Sequence, residues 1–391
     1  MNNLNHSKNS FLPLRSIPRF PLGVLLSVCW LTACIPAQPP VTALVPPLSV
    51  RTLGTITSGS PLAWADNGKQ LAVNDSGLTI IDADSGTRQR LNHESTLTAL
   101  AWAPDGEAVV FATPAKQGTL LRVVDLNGRQ LAKTEIKGNC RQFFWRQDGR
   151  ILASYELMTD YSFGTSFQAG YVEWRDLSAT VVVPLVDTTL SPFHMQEIDK
   201  NSSLFFFDLS PWGDEIVFSK INAPPMFPAY FQLVHLPLGT SRNTIIAGRL
   251  STANSGRFIN QGEDVLYGDG QGSILRQSVW NETPELAYRS AGRSIALSAG
   301  EKWLVIDDVL YRDKLPFARF SAQVIPRFSP VGGRVALVAG KQLLVIDGLV
   351  EELPATVSSE AESKIRVLRS WRGKGLISPQ EYRQRTLQWE K

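Results

Sequence analysis

The chain has 391 residues, 43% of them hydrophobic, and a formal net charge of only +3. Residues 1–33 carry three basic residues and no acidic one, and residues 364–391 carry eight basic residues against two acidic ones, so the body between them is mildly acidic. A nucleic-acid-binding protein would need a basic stripe across its fold, and this charge distribution therefore argues against a nucleic-acid partner.

The N-terminus has the three-part layout of a secretory signal. Basic residues precede Phe20, an uncharged stretch of about 14 residues follows, and Leu31-Thr32-Ala33-Cys34 ends it. The stretch is shorter than the ~20 residues that span a bilayer as a helix. A Cys directly after Leu-Thr-Ala resembles the lipobox of bacterial lipoproteins, which implies a signal peptide at 1–33, cleavage before Cys34 and lipid on Cys34. The alternative is an ordinary signal peptide with an incidental Cys.

The lipobox resemblance implies a protein of the cell envelope that is anchored to a membrane by lipid. Ile35 rather than Asp follows the Cys, which in that family favours the periplasmic face of an outer membrane if the source has one. Residues 34–49 are Pro-rich and are predicted to form an extended tether. With Cys29 removed and Cys34 acylated, Cys140 is left without a disulfide partner in the mature chain, and we predict a buried structural thiol.

One pattern repeats from about residue 50 to residue 356. Its clearest unit has an apolar strand at 100–103, the turn Pro104-Asp105-Gly106, a second strand at 109–112 and a third at 120–126. Pro presets φ for a turn, and Gly supplies the positive φ that hairpins need. The turn glycine recurs at spacings of 32 to 64 residues with a mean near 44, at Gly68, Gly106, Gly149, Gly213, Gly262, Gly300 and Gly332.

This period matches the four-stranded blades of β-propellers, which take ~40–45 residues each. We therefore predict an all-β fold: a β-propeller of about seven four-stranded blades over residues 50–356. Six or eight blades remain open, because residues 51–57 could be the strand that closes the ring. The units resemble the repeats of TolB-type and WD-repeat-like bacterial propellers, closely only over residues 100–111.

The apolar period changes from two to ~3.6 near residue 360, which predicts a short helical pair over 360–391. Ser378-Pro379-Gln380-Glu381 is a capping box with Pro at the first helical position. A helical pair of this size buries too little surface to be stable alone. The segment resembles the short C-terminal domain called SHOCT, which implies packing against something else, often a partner or another copy. The matching residues are Gly375, Ile377, Ser378, Glu381 and Tyr382.

Catalytic and metal-binding patterns are missing from the sequence. The histidines His93, His194 and His235 are far apart, and no nucleophile elbow, His-Glu-x-x-His or P-loop occurs. The segment 82–86 resembles a calcium loop, but Gly86 stands at a ligand position, and we interpret it as a hairpin turn. We predict no enzyme activity, no catalytic residue, no metal site and no cofactor.

Three long excursions interrupt the repeat between Gly149 and residue 229. They are predicted at 156–168, 188–203 and 221–229, and the strand order places all three on one face of the propeller. Aromatic and Met side chains in surface loops are typical of binding hot spots. Alternatively, these side chains plug the channel or pack the loops down. The candidate residues are Tyr161, Phe163, Phe167, Phe193, Met226 and Phe227.

The leading hypothesis from the sequence is a non-enzymatic envelope lipoprotein that binds another envelope protein through this loop-rich face. The alternative is a propeller enzyme or small-ligand binder that uses the central channel. Polar side chains that converge on the inner strands would favour the alternative, and an apolar loop face would favour the scaffold.

Overall fold

A computed structural model describes residues 41–43, 48–94, 96–175, 177–197, 204–225, 227–240, 243–251, 256–280, 283–290, 294–320, 324–353, 359–373 and 376–386. Over these residues the chain forms seven four-stranded antiparallel sheets, arranged as the blades of a ring, with a helical pair near the C-terminus. The predicted fold class is confirmed, and the blade number is seven.

Each blade has strands A to D, from the central channel outwards. Among the described residues three helices occur outside the blades: α1 Pro192–Glu197, α2 Ser359–Gly373 and α3 Pro379–Thr386. A 3-10 turn covers Asn260–Gly262, and Val41–Ala43 adds a fifth strand outside blade 6. In the order A to D the strands are Leu62–Trp64, Gln70–Asn74, Leu78–Asp82 and Arg88–Arg90 (blade 1); Ala99–Trp102, Ala108–Ala115, Gly118–Asp125 and Gln130–Lys137 (blade 2); Phe143–Trp145, Ile151–Tyr161, Gly164–Arg175 and Ala179–Leu190 (blade 3); Phe207–Leu209, Glu215–Asn222, Tyr230–Pro237 and Thr244–Leu250 (blade 4); Arg257–Ile259, Asp264–Gly268, Ser273–Ser278 and Glu285–Arg289 (blade 5); Ile295–Leu297, Trp303–Ile306, Val309–Arg312 and Leu315–Phe320 (blade 6); and Val324–Phe328, Gly333–Ala339, Gln342–Leu349 and Ser49–Thr55 (blade 7).

The N-terminal strand Ser49–Thr55 closes the ring, because it pairs antiparallel with strand C of blade 7. The Arg51 Nε donates to Asp347 at 2.7 Å across this pair, and the Trp64 indole N–H of blade 1 donates to the Arg327 carbonyl of blade 7 at 2.8 Å. The strand predicted at 51–57 as a possible closing strand therefore belongs to blade 7. Residues 41–43 of the predicted tether also pair, against the outer edge of blade 6.

The core lies in layers between neighbouring blades. Strands buried on both faces read as continuous apolar runs rather than as alternating ones, and strand C of blade 7 is of this kind. Its Val345 packs with Leu71 of blade 1, and Phe111 of blade 2 packs with Ile80 of blade 1. Each blade is therefore stabilised mainly by its two neighbours.

The turn glycines adopt the backbone conformation that the repeated turn requires in all blades but one. Six of the seven predicted turn glycines have positive φ, for example +66° at Gly68. Blade 6 differs, because Glu301 takes the positive φ of 58° instead of Gly300. A Cβ at Gly300 would meet the Glu352 carbonyl oxygen at 2.3 Å, so here the glycine allows a close approach of two backbones rather than a left-handed conformation.

The alternation of strand direction gives the propeller two faces. The connections between strands A and B and between C and D lie on one side, which we call the turn face. The connections between B and C and from D to the next blade lie on the other side, which we call the loop face. The two faces carry different additions to the ring.

Candidate functional site

Three segments of blades 3 and 4 build one surface on the loop face. The first is the hairpin of strands B and C of blade 3, whose ladder runs unbroken to the pair Tyr161–Gly164. The predicted loop at 156–168 is therefore wrong in detail: it is strand up to a tip at residues 162–163. The second segment is α1, and the third joins strands B and C of blade 4 at residues 223–229.

His194 ties α1 to the connection in blade 4. Its Nε2 donates to the Phe227 carbonyl at 2.9 Å, and its Nδ1 accepts from the Ser191 N–H at 3.1 Å. A carbonyl can only accept and a backbone N–H can only donate, so these two bonds place a proton on Nε2 and leave Nδ1 as the acceptor. His194 is 1% exposed. The predicted convergence of these two segments is confirmed, and a buried hydrogen bond fixes it.

Four aromatic side chains on these segments are exposed, and we call them the aromatic patch. Phe163 is 72% exposed, Phe227 68%, Tyr161 53% and Phe193 49%. The Tyr161 and Phe163 rings stack with centroids 5.6 Å apart. Met226, also predicted here, lies outside the described residues.

Phe167 does not belong to the aromatic patch. It is 1% exposed and lies in the core cluster that also holds Leu190 and Phe205. The reason is the regular strand: side chains alternate between the two faces of a sheet, and Phe167, paired with Met158, points towards the neighbouring blade. The prediction of a partner contact at Phe167 is corrected to a core position.

A groove of about 570 Å³ lies beside the patch. Tyr161 and Thr165 of the hairpin line it together with Pro192 and Met195 of α1, and Phe167 forms part of its floor. The exposed Arg141 and Asp160 form a polar rim, and the buried Glu156 also lines the groove. An apolar floor with a few charged groups at the rim is the composition of a protein or ligand contact.

The central channel is a second candidate site, with a volume of about 640 Å³. One residue of strand A faces the channel in every blade: the residue before the last in six blades, and the first residue of the strand in blade 5. Its neighbours along the strand point into the blade layers, as the period of two requires. The seven channel positions are Ala63, Ala101, Phe144, Asp208, Arg257, Ala296 and Arg327.

Three of the channel positions are charged. The Arg257 Nη1 donates to Asp208 at 2.9 Å, and the Asp208 carboxylate also accepts from the Phe258 N–H at 3.0 Å. Arg327 has no carboxylate within ion-pair distance among the described residues; its Nη1 donates to the Pro326 carbonyl at 2.8 Å. Burial, helped by the charge of Arg257, lowers the pKa of Arg327 to about 10. Its side chain is nevertheless exposed to the channel solvent.

On the turn face, α2 packs against blades 4 and 5 through Arg369. This arginine is 3% exposed, and its Nη2 donates to the Gln261 carbonyl at 2.9 Å. Its guanidinium lies 3.7 Å from Asp214 and 5.6 Å from the centre of the Trp212 ring. Burial works against the charged form, but nearby carboxylates, Glu215 foremost, raise the pKa of Arg369 above its ordinary value.

Arg372, one helical turn later, makes the second contact. Its Nη1 donates to Glu263 at 2.5 Å, and its guanidinium stacks on the Trp280 ring of blade 5 at 4.0 Å. Tyr382 of α3 lies on the other side, 4.8 Å from the guanidinium. The helical pair thus packs on its own propeller, with Arg372 between two aromatic rings and Arg369 over one.

The predicted capping residues have separate roles in this unit. The Ser378 hydroxyl accepts from the Glu381 N–H at 3.1 Å, as predicted, whereas the Glu381 carboxylate accepts from Arg385 at 2.7 Å. Tyr382 is buried, and its hydroxyl accepts from the Arg369 Nε at 3.2 Å. Ile377 is half-buried. Gly375 lies outside the described residues.

The remaining chemistry-bearing residues are dispersed. Cys140 is buried, which raises the pKa of its thiol to about 12, so the prediction of a buried thiol is confirmed. No group of three potential metal ligands occurs among the described residues. In the described part of the chain no helix has the length and apolarity to cross a bilayer. The predicted signal peptide and Cys34 lie outside the described residues.

Comparisons with known proteins show the fold alone. No protein-family model and no curated protein matches the chain. Among solved structures it is similar to the β-propeller domain of Cps50 (Swd1) from Myceliophteria thermophila, with 14% identity and a TM-score of 0.50 over 77% of this chain and 99% of that one. As many as 906 chains of known structure match, and a fold shared so widely does not identify a ligand.

Sequence reasoning missed the two arginines of α2 and the charged residues of the channel. The channel residues had a detectable signal: Asp208 and Arg327 stand directly before the residue that ends the first apolar run of a repeat, and Arg257 stands directly before the aromatic Phe258 of that run. An alignment of the repeats places alanine at this position in three blades, which marks the charged exceptions. The arginines of α2 had no local signal, because their partners lie more than 100 residues away.

Proposed function

We propose that this protein is a non-enzymatic interaction scaffold of the cell envelope, anchored by lipid at Cys34, which binds another envelope protein through the aromatic patch. The observation that carries the proposal is the set of four exposed aromatic side chains on one surface of the loop face. The propeller fold is compatible with such a role.

Energetics favour a protein partner at this surface. An aromatic side chain buries 150–250 Å² when it is covered, and aromatic residues dominate binding hot spots. The patch is supported on both sides, because strand pairing up to Tyr161–Gly164 holds the short tip that carries Phe163 and the His194 bond holds Phe227. A rigid surface loses little conformational entropy on binding. The polar rim at Arg141 and Asp160 would then set orientation.

The test compares partner capture from membranes by the lipidated wild type and by a triple variant, Tyr161→Ser, Phe163→Ser and Phe227→Ser. The matched control replaces three exposed apolar residues elsewhere, Leu286→Ser, Leu315→Ser and Val350→Ser, which are 50%, 70% and 70% exposed. A protein that the wild type and the control capture, and that the patch variant loses with a melting temperature unchanged, supports the proposal. A partner retained equally by all three proteins argues against the patch.

The anchor is tested separately. Cys34→Ser removes the thiol that would accept the lipid, so we expect no incorporation of a fatty-acid analogue and a protein that is either released from membranes or left with its signal peptide uncleaved. Cys140→Ser is the matched control, because its thiol is buried. Label in the Cys34 variant would show that the protein is not lipidated at this position.

A further inference from the structure

The central channel carries a charge arrangement that the scaffold proposal does not use. Arg327 extends into the channel without a carboxylate partner among the described residues. The nearby carboxylate of Asp208 is already engaged by Arg257 and by the Phe258 N–H. The positive charge of Arg327 is therefore not neutralised by the described part of the protein. Arginine supplies a planar fork of donors that fits the oxygens of a carboxylate or phosphate.

Space for a ligand exists beside this guanidinium. The channel positions of the two neighbouring blades are Ala63 and Ala296, and Ala101 follows in blade 2. Small side chains on this side of the ring leave the volume open, whereas Phe144 narrows the other side. The volume of about 640 Å³ lies within the range of small-molecule sites.

The channel is also polar along its axis. Arg141 lies at the mouth on the loop face and is exposed, with its Nε 3.8 Å from Glu156. Asp66 and Glu301 lie at the turn-face mouth, and burial raises the pKa of both carboxyl groups. The cations lie at the loop-face mouth and in the middle of the channel, and the carboxylates lie at the turn-face mouth. The resulting electric field favours the entry of an anion from the loop face.

We propose that the central channel is a binding site for a small oxyanion, a carboxylate or phosphate group, held by Arg327 and reached past Arg141 from the loop face. Arg257 contributes its charge from beside the site while it remains paired with Asp208. The group can belong to a free metabolite or to the acidic end of a polypeptide. The site shares Arg141 with the groove beside the aromatic patch, but it contains none of the four aromatic residues of the patch.

The first experiment is calorimetric titration of the full chain with sodium succinate and with inorganic phosphate, in chloride buffer at constant ionic strength. We expect wild-type binding of at least one probe, weakened roughly tenfold or more by Arg327→Gln. Arg319→Gln, which removes the same charge from the outer strand of blade 6, should leave binding unchanged. Equal weakening by both variants, or no wild-type binding of either probe at about 10 mM, overturns the proposal.

Two further variants separate a binding site from a general charge effect. Ala296→Leu fills the channel beside Arg327 without a change of charge and should abolish binding. The serine triple variant of the aromatic patch should bind the anion as the wild type does, so the two proposals fail independently. Wild-type melting temperatures for both confirm folding. If Ala296→Leu binds the anion normally, the site is not in the channel.

The source of the oxyanion is distinguished with one peptide in two forms. A peptide with a free C-terminal carboxylate and the same peptide with a C-terminal amide are titrated into the wild type and Arg327→Gln. Binding of the free form that the amide and the variant both lose identifies a polypeptide end. Binding of succinate or phosphate with no preference between the two peptides identifies a free metabolite.

Discussion

Aromatic side chains in the connections are covered on the turn face of the propeller and exposed on the loop face. On the turn face, Trp212 and Trp280 lie outside the strands but are half-buried, because the guanidinium groups of α2 lie over their rings. On the loop face, Phe163 and Phe227 are 72% and 68% exposed. An aromatic residue in a connection is thus core or surface according to whether the chain itself returns to cover it. The uncovered face is the one that has room for a partner.

The helical pair that covers the turn face is held there by ion pairs as well as by apolar contacts. Arg369 and Arg372 are almost fully buried, and a buried cation is stable only when paired. Asp214 and Glu263 provide that pairing, at 3.7 Å and 2.5 Å. The helices and the propeller therefore depend on each other, which makes the turn face the part most sensitive to change.

The largest expected effect comes from deletion of residues 359–391. It removes the ion pairs of Glu263 and Asp214 and exposes both tryptophans to water, and the lost apolar burial alone should cost several kcal/mol. We expect the melting temperature to fall by about 10 °C. Differential scanning calorimetry measures it. An unchanged melting temperature would show that the helical pair is an independent unit and would remove the contrast between the faces.

A matched pair of substitutions tests the loop face. Phe167→Ala removes a side chain from the core cluster and should cost about 3–5 kcal/mol in the free energy of unfolding. Phe163→Ala, four residues earlier on the same hairpin, should cost less than about 1 kcal/mol because its side chain is exposed. Denaturant unfolding curves of the two variants check this. Similar losses in both would mean that Phe163 is packed and not available to a partner.

The pH dependence of the turn face follows from Glu215. Burial alone would raise the pKa of this carboxyl, but His235, whose Nε2 lies 3.5 Å from the carboxylate, and the charges of Arg369 and Arg372 hold it below its ordinary value. A carboxylate with a lowered pKa in the folded state stabilises the protein above its unfolded pKa, and that contribution is lost as the pH falls through the folded value. The pKa of Asp214 shifts in the opposite direction, because burial and the charge of Glu215 raise it.

Arg369→Gln makes this dependence measurable. Arg369 favours the charged forms of both carboxyl groups, so its contribution is present at neutral pH and disappears once they are protonated. We expect the variant to melt several degrees below the wild type at pH 7, with a gap that narrows as the pH falls through the range in which these two carboxyl groups become protonated. Arg319→Gln, on an exposed strand, should show a small and constant gap. A gap for Arg369→Gln that is independent of pH contradicts the ion-pair account.

The smallest effect is expected in the channel that joins the faces. The pKa of Arg327 falls to about 10 in the fold, so its charged form costs stability below that pH, and the cost decreases as the pH rises towards the unfolded value. Since the side chain reaches channel solvent, the cost is small. Arg327→Gln should therefore raise the melting temperature at pH 7 by about 1–3 °C in buffer without multivalent anions. A decrease would indicate a carboxylate partner for this arginine.

The sequence alone determined the architecture. The turn chemistry at positions such as Gly106 and the apolar runs beside it are local signals, and their spacing predicted seven blades and a possible closing strand near residue 51. The strand order then predicted one face for the three excursions, which the bond between His194 and Phe227 bears out for two of them. Local signals suffice here because turn type and strand period depend on neighbouring residues.

Tertiary structure alone decided which of these residues are buried and paired. The hairpin of blade 3 continues as strand through the predicted loop, so Phe167 is core and Phe163 is surface, although both read as loop aromatics in the sequence. In the sequence, Arg369 is one of several basic residues near the C-terminus. In the structure it donates to a carbonyl 108 residues away and is almost fully buried. Burial and ion pairing depend on segments that only the closed ring brings together, and no local pattern encodes them.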